Sequence, residues 1–186
     1  STHHIEFLPR LLYSKITNKY SDEVIMSEKN QLINQIPLYE RQEQLLRFDH
    51  FNNADALEVG LMLVERAKQM NYAVAIDITI CSSQIFAYAF PGTSANNLRW
   101  IKRKTNTVNK VQMSSLHVGA VLLRSGQDLE GDWHLPHIDY SNLGGAFPIF
   151  IKGTGFIGTI CVSGLPHEQD HQLVVDVLCE YLNVKL

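Results

Sequence analysis

An α+β fold built on an antiparallel sheet is predicted by three observations. Two alternating stretches, A73-V-A-I-D-I-T-I80 and Q84-I-F-A-Y-A-F90, are separated only by C81-S-S83. A second pair, F147-P-I-F-I-K152 and F156-I-G-T-I-C-V162, flanks G153-T-G155. Segments with helical spacing lie before, between and after the two pairs. Connections this short join antiparallel neighbours. The order helix, two strands, helices, two strands, helix is that of an α+β domain.

Taken in order, residues 1–37 are the least patterned. Ile5, Leu8, Leu11 and Leu12 suggest one helical face, which Pro9 interrupts, and residues 21–34 are polar enough to read as a loop or an arm. From Leu38 the pattern sharpens into a short helix over 38–48. Asn52 or Asn53 can cap the next helix, in which Ala54, Leu57, Leu61 and Val64 recur at helical spacing to about Met70. In the first strand Val74, Ile76, Ile78 and Ile80 alternate with Ala75, Asp77 and Thr79, the mark of a half-buried strand. P91-G-T93 is a turn, and 96–111 reads as helix. Residues 114–123 form another helix, interrupted at Gly119. The stretch 125–145, rich in Gly, Asp and His, reads as a covering loop. The last helix starts at Pro166, with an apolar face of Val174, Val177, Leu178, Tyr181 and Leu182.

At 186 residues the chain suits one domain. A hydrophobic fraction of 45%, a charged fraction of 19% and a net charge of −3 point to neither nucleic acid nor an anionic membrane as partner. No apolar run approaches the roughly 20 residues of a membrane helix. The opening S1-T-H-H-I-E-F7 lacks the basic and apolar regions of a secretory signal. Cys81, Cys161 and Cys179 are odd in number and form no C-x-x-C, which argues against a disulfide framework. A cytoplasmic protein is expected.

H167-E-Q-D-H171 matches the H-E-x-x-H of zinc peptidases, whose two histidines share a helix face. The next two ligand-spaced positions are Val174 and Val177, however, and beyond Asp176 the only carboxylate side chain is Glu180. Catalytic zinc takes three protein ligands. Pro166 puts the motif in an opening turn, where Glu168 and Asp170 complement the helix dipole. No metal site is expected. His171 shares a face with Val174 and Leu178, so it reads as a hydrogen-bonded core histidine or as a pocket residue at the strand–helix junction.

N96-N-L-R-W-I-K-R-K104 gathers Arg99, Lys102, Arg103 and Lys104 around Trp100. It suits a solvated helix face, or recognition of a small organic anion with Arg103 as a bidentate fork. Gly144-Gly145 permits close backbone approach or a tight turn. His134 and His137 on the long loop read as metal ligands or as exposed loop residues. Ser163 has no nucleophile elbow around it. No complete catalytic set can be assembled.

Several pieces together resemble a known family. F51-N-N-A-D-A-L-E-V-G60, A75-I-D-I78, W100-I-K-R-K-T-N-T-V108, S114-S115, G144-G-A-F-P-I149 and G155-F-I-G-T-I-C-V-S-G-L-P-H-E-Q-D-H-Q-L-V-V175 run in order over about residues 40–186. They resemble the haem-degrading, HbpS-like (GlcG-like) domain family, in particular its small uncharacterised branch found in bacteria and fungi. The resemblance implies a profilin-like three-layer α/β/α domain over 38–186, with a central antiparallel sheet of about five strands. Residues 1–37 would be an N-terminal extension. It also implies a homo-oligomer and, for some members, haem binding or breakdown. In the family pattern Asp170 and His171 are the motif, and His167 and Glu168 are incidental. The implied ligand site comprises Trp100, Arg103, Lys104, Gly144, Gly145, Ser163, Asp170 and His171, with Arg103 or Lys104 pairing haem propionates. One departure is Leu143, where the branch usually carries histidine before the two glycines. A non-enzymatic oligomeric scaffold, with the 1–37 arm in assembly, is the alternative.

Overall fold

The alternation of apolar and polar residues in 75–80 becomes strand β1 (Ala75–Ile80), which pairs with β2 (Ser83–Ala89) across Cys81 and Ser82. Both loop residues have positive φ, 49° and 67°, as a two-residue hairpin turn requires. β3 (Ala146–Ile151) and β4 (Gly155–Ser163) form the second hairpin. β4 also pairs with β1, giving the antiparallel order β2-β1-β4-β3. The computed structural model describes residues 10–186, with side chains from Ser21 onward. The proposed face of Ile5, Leu8, Leu11 and Leu12 lies outside the described residues.

Strand periodicity sorts the two faces of the sheet. Ile76, Ile78, Phe147, Ile149, Ile160 and Val162 bury against α3 (Asn53–Gln69) and α6 (His167–Leu182). Of the two candidate caps, Asn52 starts α3, closing a capping box with Asp55. The opposite face carries the smaller Ala75, Ala146 and Cys161, and α4 (Ala95–Val111) lays Ile101 and Val108 on them. The three layers are therefore α3 and α6, the sheet, and α4. α5 (Ser115–Ser125) runs unbroken through Gly119 and packs near the β3 edge. The 126–145 loop covers it with Leu129 and Leu135.

Two expectations are corrected. Among the described residues the sheet has four strands, not five. A single parallel bridge of Phe48 to Ile151 stands beside β3, held by Phe48 N–H to Phe150 O at 2.9 Å and Lys152 N–H to Phe48 O at 2.8 Å. The chain then turns into the α3 cap at Asn52, too soon to extend the pairing. Residues 21–34 are not a loop but the end of α1 (Arg10–Asn34), a helix with neither Gly nor Pro. Exposed over residues 21–31, it anchors through Leu32 and Ile33, which pack with Ile36 and Tyr39 of α2 (Ile36–Leu45) and Leu116 of α5. Pro37 lies in the first turn of α2, where its missing N–H costs nothing.

Candidate functional site

β4 ends at Ser163, and Gly164, Leu165 and Pro166 turn the chain into α6. One turn further, Asp170 points back at this junction. Its Oδ1 accepts the Leu165 N–H at 2.9 Å, and its Oδ2 meets Lys104 Nζ at 2.8 Å. Lys104 reaches it from α4 and also donates to Val162 O at 3.4 Å. The pair is buried, with 3% and 1% of Lys104 and Asp170 exposed. Burial pushes the Asp170 carboxyl up, against the Lys104 ammonium and the backbone N–H groups of Leu165 and Gly164. Cys161 beside it is inert, its thiol pushed up to about 12 by burial.

Gly144 and Gly145 pack behind this pair. A Cβ on Gly145, at φ 132°, would collide with the Val162 carbonyl and crowd Lys104 Nζ. One on Gly144 would collide with the His167 carbonyl. The Gly144 N–H donates to His167 Nδ1 at 3.1 Å, while His167 Nε2 lies 3.0 Å from Glu168 Oε1. Burial is the main influence holding the His167 pKa below the usual range.

Trp100, Lys104, Leu143, Ser163, His167 and Asp170 line a cleft of about 300 Å³ between α4 and the β4–α6 turn. Trp100 is also stacked under Arg103, whose Cζ lies 4.2 Å from the ring centroid. Arg103 Nε donates to Tyr140 O at 3.3 Å, which turns that guanidinium toward the long loop.

His171 faces another way. Its Nε2 lies 2.8 Å from Gln42 Oε1 on α2, and its ring meets those of Tyr39 and Phe147 at 5.5 and 6.0 Å. Burial pulls its pKa down to about 3, so the ring is neutral. Nearby, the Glu43 carboxylate takes the Ser114 N–H at 2.8 Å and approaches His117 Nδ1 at 3.1 Å.

Of the residues expected to form one site, Trp100, Lys104, Ser163 and Asp170 share the cleft, with Gly144 and Gly145 behind it. Arg103 sits across Trp100, and His171 opens on a separate cavity. His167, read as incidental, lines the cleft and holds the Gly144 backbone; nothing local to 167–171 foretold a bond across 23 residues. Gln42, Tyr39 and Glu43 escaped notice because their partners lie on α5 and α6. His137 lies 3.5 Å from Asp128 on the loop. Among the described residues no group of three or more His, Cys, Asp or Glu side chains is arranged to hold a metal ion.

A four-stranded antiparallel sheet between helical layers, with an acid–histidine pair in the first turns of the last helix, defines a small α/β/α domain of the HbpS type. The chain belongs to the family described as haem degrading protein HbpS-like, which matches residues 51–178. A UPF0303 protein of Pseudomonas entomophila strain L48 is 40% identical over 151 residues, spanning 81% of this chain and 84% of that one. A UPF0303 protein of Rhizobium rhizogenes strain K84 is 43% identical over 145 residues, 78% and 89% of the two chains. Among solved structures, Ybr137w superposes with a TM-score of 0.74 at 25% identity, over 80% of this chain and 87% of that one. A PduOC–haem complex has a TM-score of 0.60 at 21% identity, over 69% and 93%. The fold expectation and the family resemblance both hold.

Iron-ligated haem does not fit the residues gathered at the cleft. An axial histidine presents a nitrogen lone pair to iron. The Gly144 N–H occupies the lone pair of His167 Nδ1, so His167 Nε2 carries the proton. His171 is 2% exposed and its Nε2 is engaged with Gln42. Lys104, one of the two expected propionate partners, is neutralised by Asp170.

Proposed function

We propose that this chain is a non-catalytic ligand-binding member of its family, taking a small organic anion with a flat apolar body at the cleft between α4 and the β4–α6 turn. The observation that carries this reading is Trp100, which lines the cleft and lies directly under the Arg103 guanidinium. A planar ligand would rest on the Trp100 and Leu143 side, and its carboxylate would reach Arg103 at the rim. The buried Lys104–Asp170 pair is a balanced floor and adds no net charge. Haem belongs to this ligand class through its ring and propionates, without iron ligation by the cleft.

Calorimetric titration of the purified chain with hemin, iron-free protoporphyrin and 1-naphthoate tests this. Hemin and protoporphyrin are expected to bind within about threefold of each other, with every anion weakened about tenfold in Arg103→Ala, equivalent to about 1.4 kcal/mol. Binding of hemin alone, with a Soret band of histidine-ligated iron, overturns the reading, as does failure of all three anions.

A second reading, a homo-oligomeric scaffold, is supported by apolar surface away from the cleft. Leu57 and Leu61 of α3 are 52% and 54% exposed, β2 is an edge strand with Tyr88 exposed, and α1 exposes Val24, Ile25 and Met26. The scaffold reading assigns assembly to these surfaces and the 1–37 extension. Sedimentation of the wild type against Leu57→Glu/Leu61→Glu and Ile25→Glu checks it; unchanged mass in both variants removes it.

A further inference from the structure

α4 borders two clefts, one on each side. Trp100 and Lys104 line the anion cleft, while Leu98, Lys102 and Asn109, at helical spacing, line a second cleft of about 660 Å³ over the β1–β2 hairpin. α4 packs chiefly on β1, β3 and β4, and Ala87 and Ala89 of the edge strand β2 stay exposed. Ala87 stands opposite Asp77 and Ala89 opposite Ala75, which packs with Ile101 of α4. Both methyls therefore lie on the α4 side of the sheet, and the floor of the second cleft is flat and apolar.

Asp77 is set into this floor and is 7% exposed. Its Oδ1 accepts the Thr79 hydroxyl at 2.9 Å, and its Oδ2 accepts from Gln84 Nε2. Both donors also line the cleft, and Gln84 is exposed, so the carboxylate lies on the cleft wall and opens toward its rim. Among the described residues no Lys, Arg or His forms an ion pair with it. Lys102 lines the cleft without reaching Asp77, and Lys104 is committed to Asp170. Asp170 is buried with a counter-charge; Asp77 is buried with neutral donors alone. Taking a carboxylate out of water without a counter-charge is costly, and native folds pair such groups.

The open positions on the carboxylate indicate what pairs it. Each carboxylate oxygen can accept two hydrogen bonds, so one place on each stays open. Two adjacent acceptors in one plane match a flat, two-pronged N–H donor better than a single ammonium. A metal ion is not indicated, because Asp77 is the one acidic side chain among the described lining residues.

We propose that the cleft between β2 and α4 is a second binding site, for a flat amidine or guanidine with an apolar body, whose paired N–H groups meet the Asp77 carboxylate. The body rests on Ala87 and Ala89, with Leu98 of α4 on the facing wall. Lys102 disfavours a second positive charge on the ligand. The site lies across α4 from the anion cleft, takes the opposite charge and does not rest on that reading.

The test is calorimetric titration of the purified chain with benzamidine, benzylamine and benzoate. Benzamidine is expected to bind saturably, benzylamine about tenfold more weakly, equivalent to about 1.4 kcal/mol, and benzoate not at this site. Asp77→Asn removes the charge at nearly constant shape and is expected to abolish benzamidine binding. Ala87→Leu alters an exposed strand position, fills the floor and is expected to do the same, so the test stands even if Asp77→Asn fails to fold. Equal affinity for benzylamine and benzamidine overturns the forked donor. Benzamidine binding retained in either folded variant overturns the location, and no benzamidine binding to the wild type at millimolar concentration overturns the site.

Discussion

Asp170 and His171 are neighbours in the chain and opposites in the fold. Asp170 is paired at both ends: Lys104 and the Leu165 N–H meet its two carboxylate oxygens. His171 is neutral, and among the described residues only one of its two ring nitrogens has a partner. Both are almost fully buried, so the difference is one of completion, not exposure. A completed buried ion pair joins α4 to α6 and leaves nothing for a ligand to satisfy. The half-completed histidine keeps one ring nitrogen with no described partner.

The brace breaks most severely. Asp170→Ala leaves the Lys104 ammonium buried with only the Val162 carbonyl near it. The expected loss is about 3–5 kcal/mol in urea unfolding, since an orphaned buried charge keeps its full desolvation cost. Lys104→Met with Asp170→Leu is expected to recover most of that loss. A double variant as unstable as Asp170→Ala would show that the pair matters through something besides charge balance.

Next in size is the existing His171 bond. Gln42→Leu leaves both His171 nitrogens without partners and is expected to cost about 1–3 kcal/mol, measured the same way. A neutral effect would mean that the imidazole finds another partner.

Acid distinguishes the two residues more gently. An unfolded histidine protonates near pH 6.5, whereas the buried His171 does so only near 3. Between those values the unfolded chain binds more protons. The His171 contribution to stability is thus full above about pH 6.5 and falls as the pH drops toward 3, by up to about 1.4 kcal/mol per pH unit. Urea midpoints at pH 7, 5 and 4 check this, and His171→Gln is expected to reduce the slope. The smallest effect is expected at Glu168→Gln. Its carboxylate is exposed and its partner His167 only half-buried, so stability should move by about 0.5 kcal/mol or less.

Legibility followed the range of the interaction. Both hairpins were visible in period-two alternation and short loops, and the α3 cap in F51-N-N-A-D55. α1 was hidden because its sequence has little apolar periodicity, and its anchorage comes from Leu32 and Ile33 against α2 and α5. Four strands stand where the family resemblance implied five, because the chain beside β3 makes one bridge and leaves for a helix cap. In the site, Lys104, Gly144, Gly145 and Asp170 could be singled out from the chain, but the 66-residue reach from Lys104 to Asp170 could not. Nor could the 129 residues between Gln42 and His171.

The amino-acid order alone therefore settled both hairpins, the helices from α2 onward and the residue types able to carry a site. Those properties arise from contacts a few residues apart, in helical or strand periods. Packing settled which charge is neutralised, which histidine nitrogen stays open, and which cations face the cleft. Burial and long-range pairing decide those outcomes, and both exist only once α2, α4 and α6 have closed on the sheet.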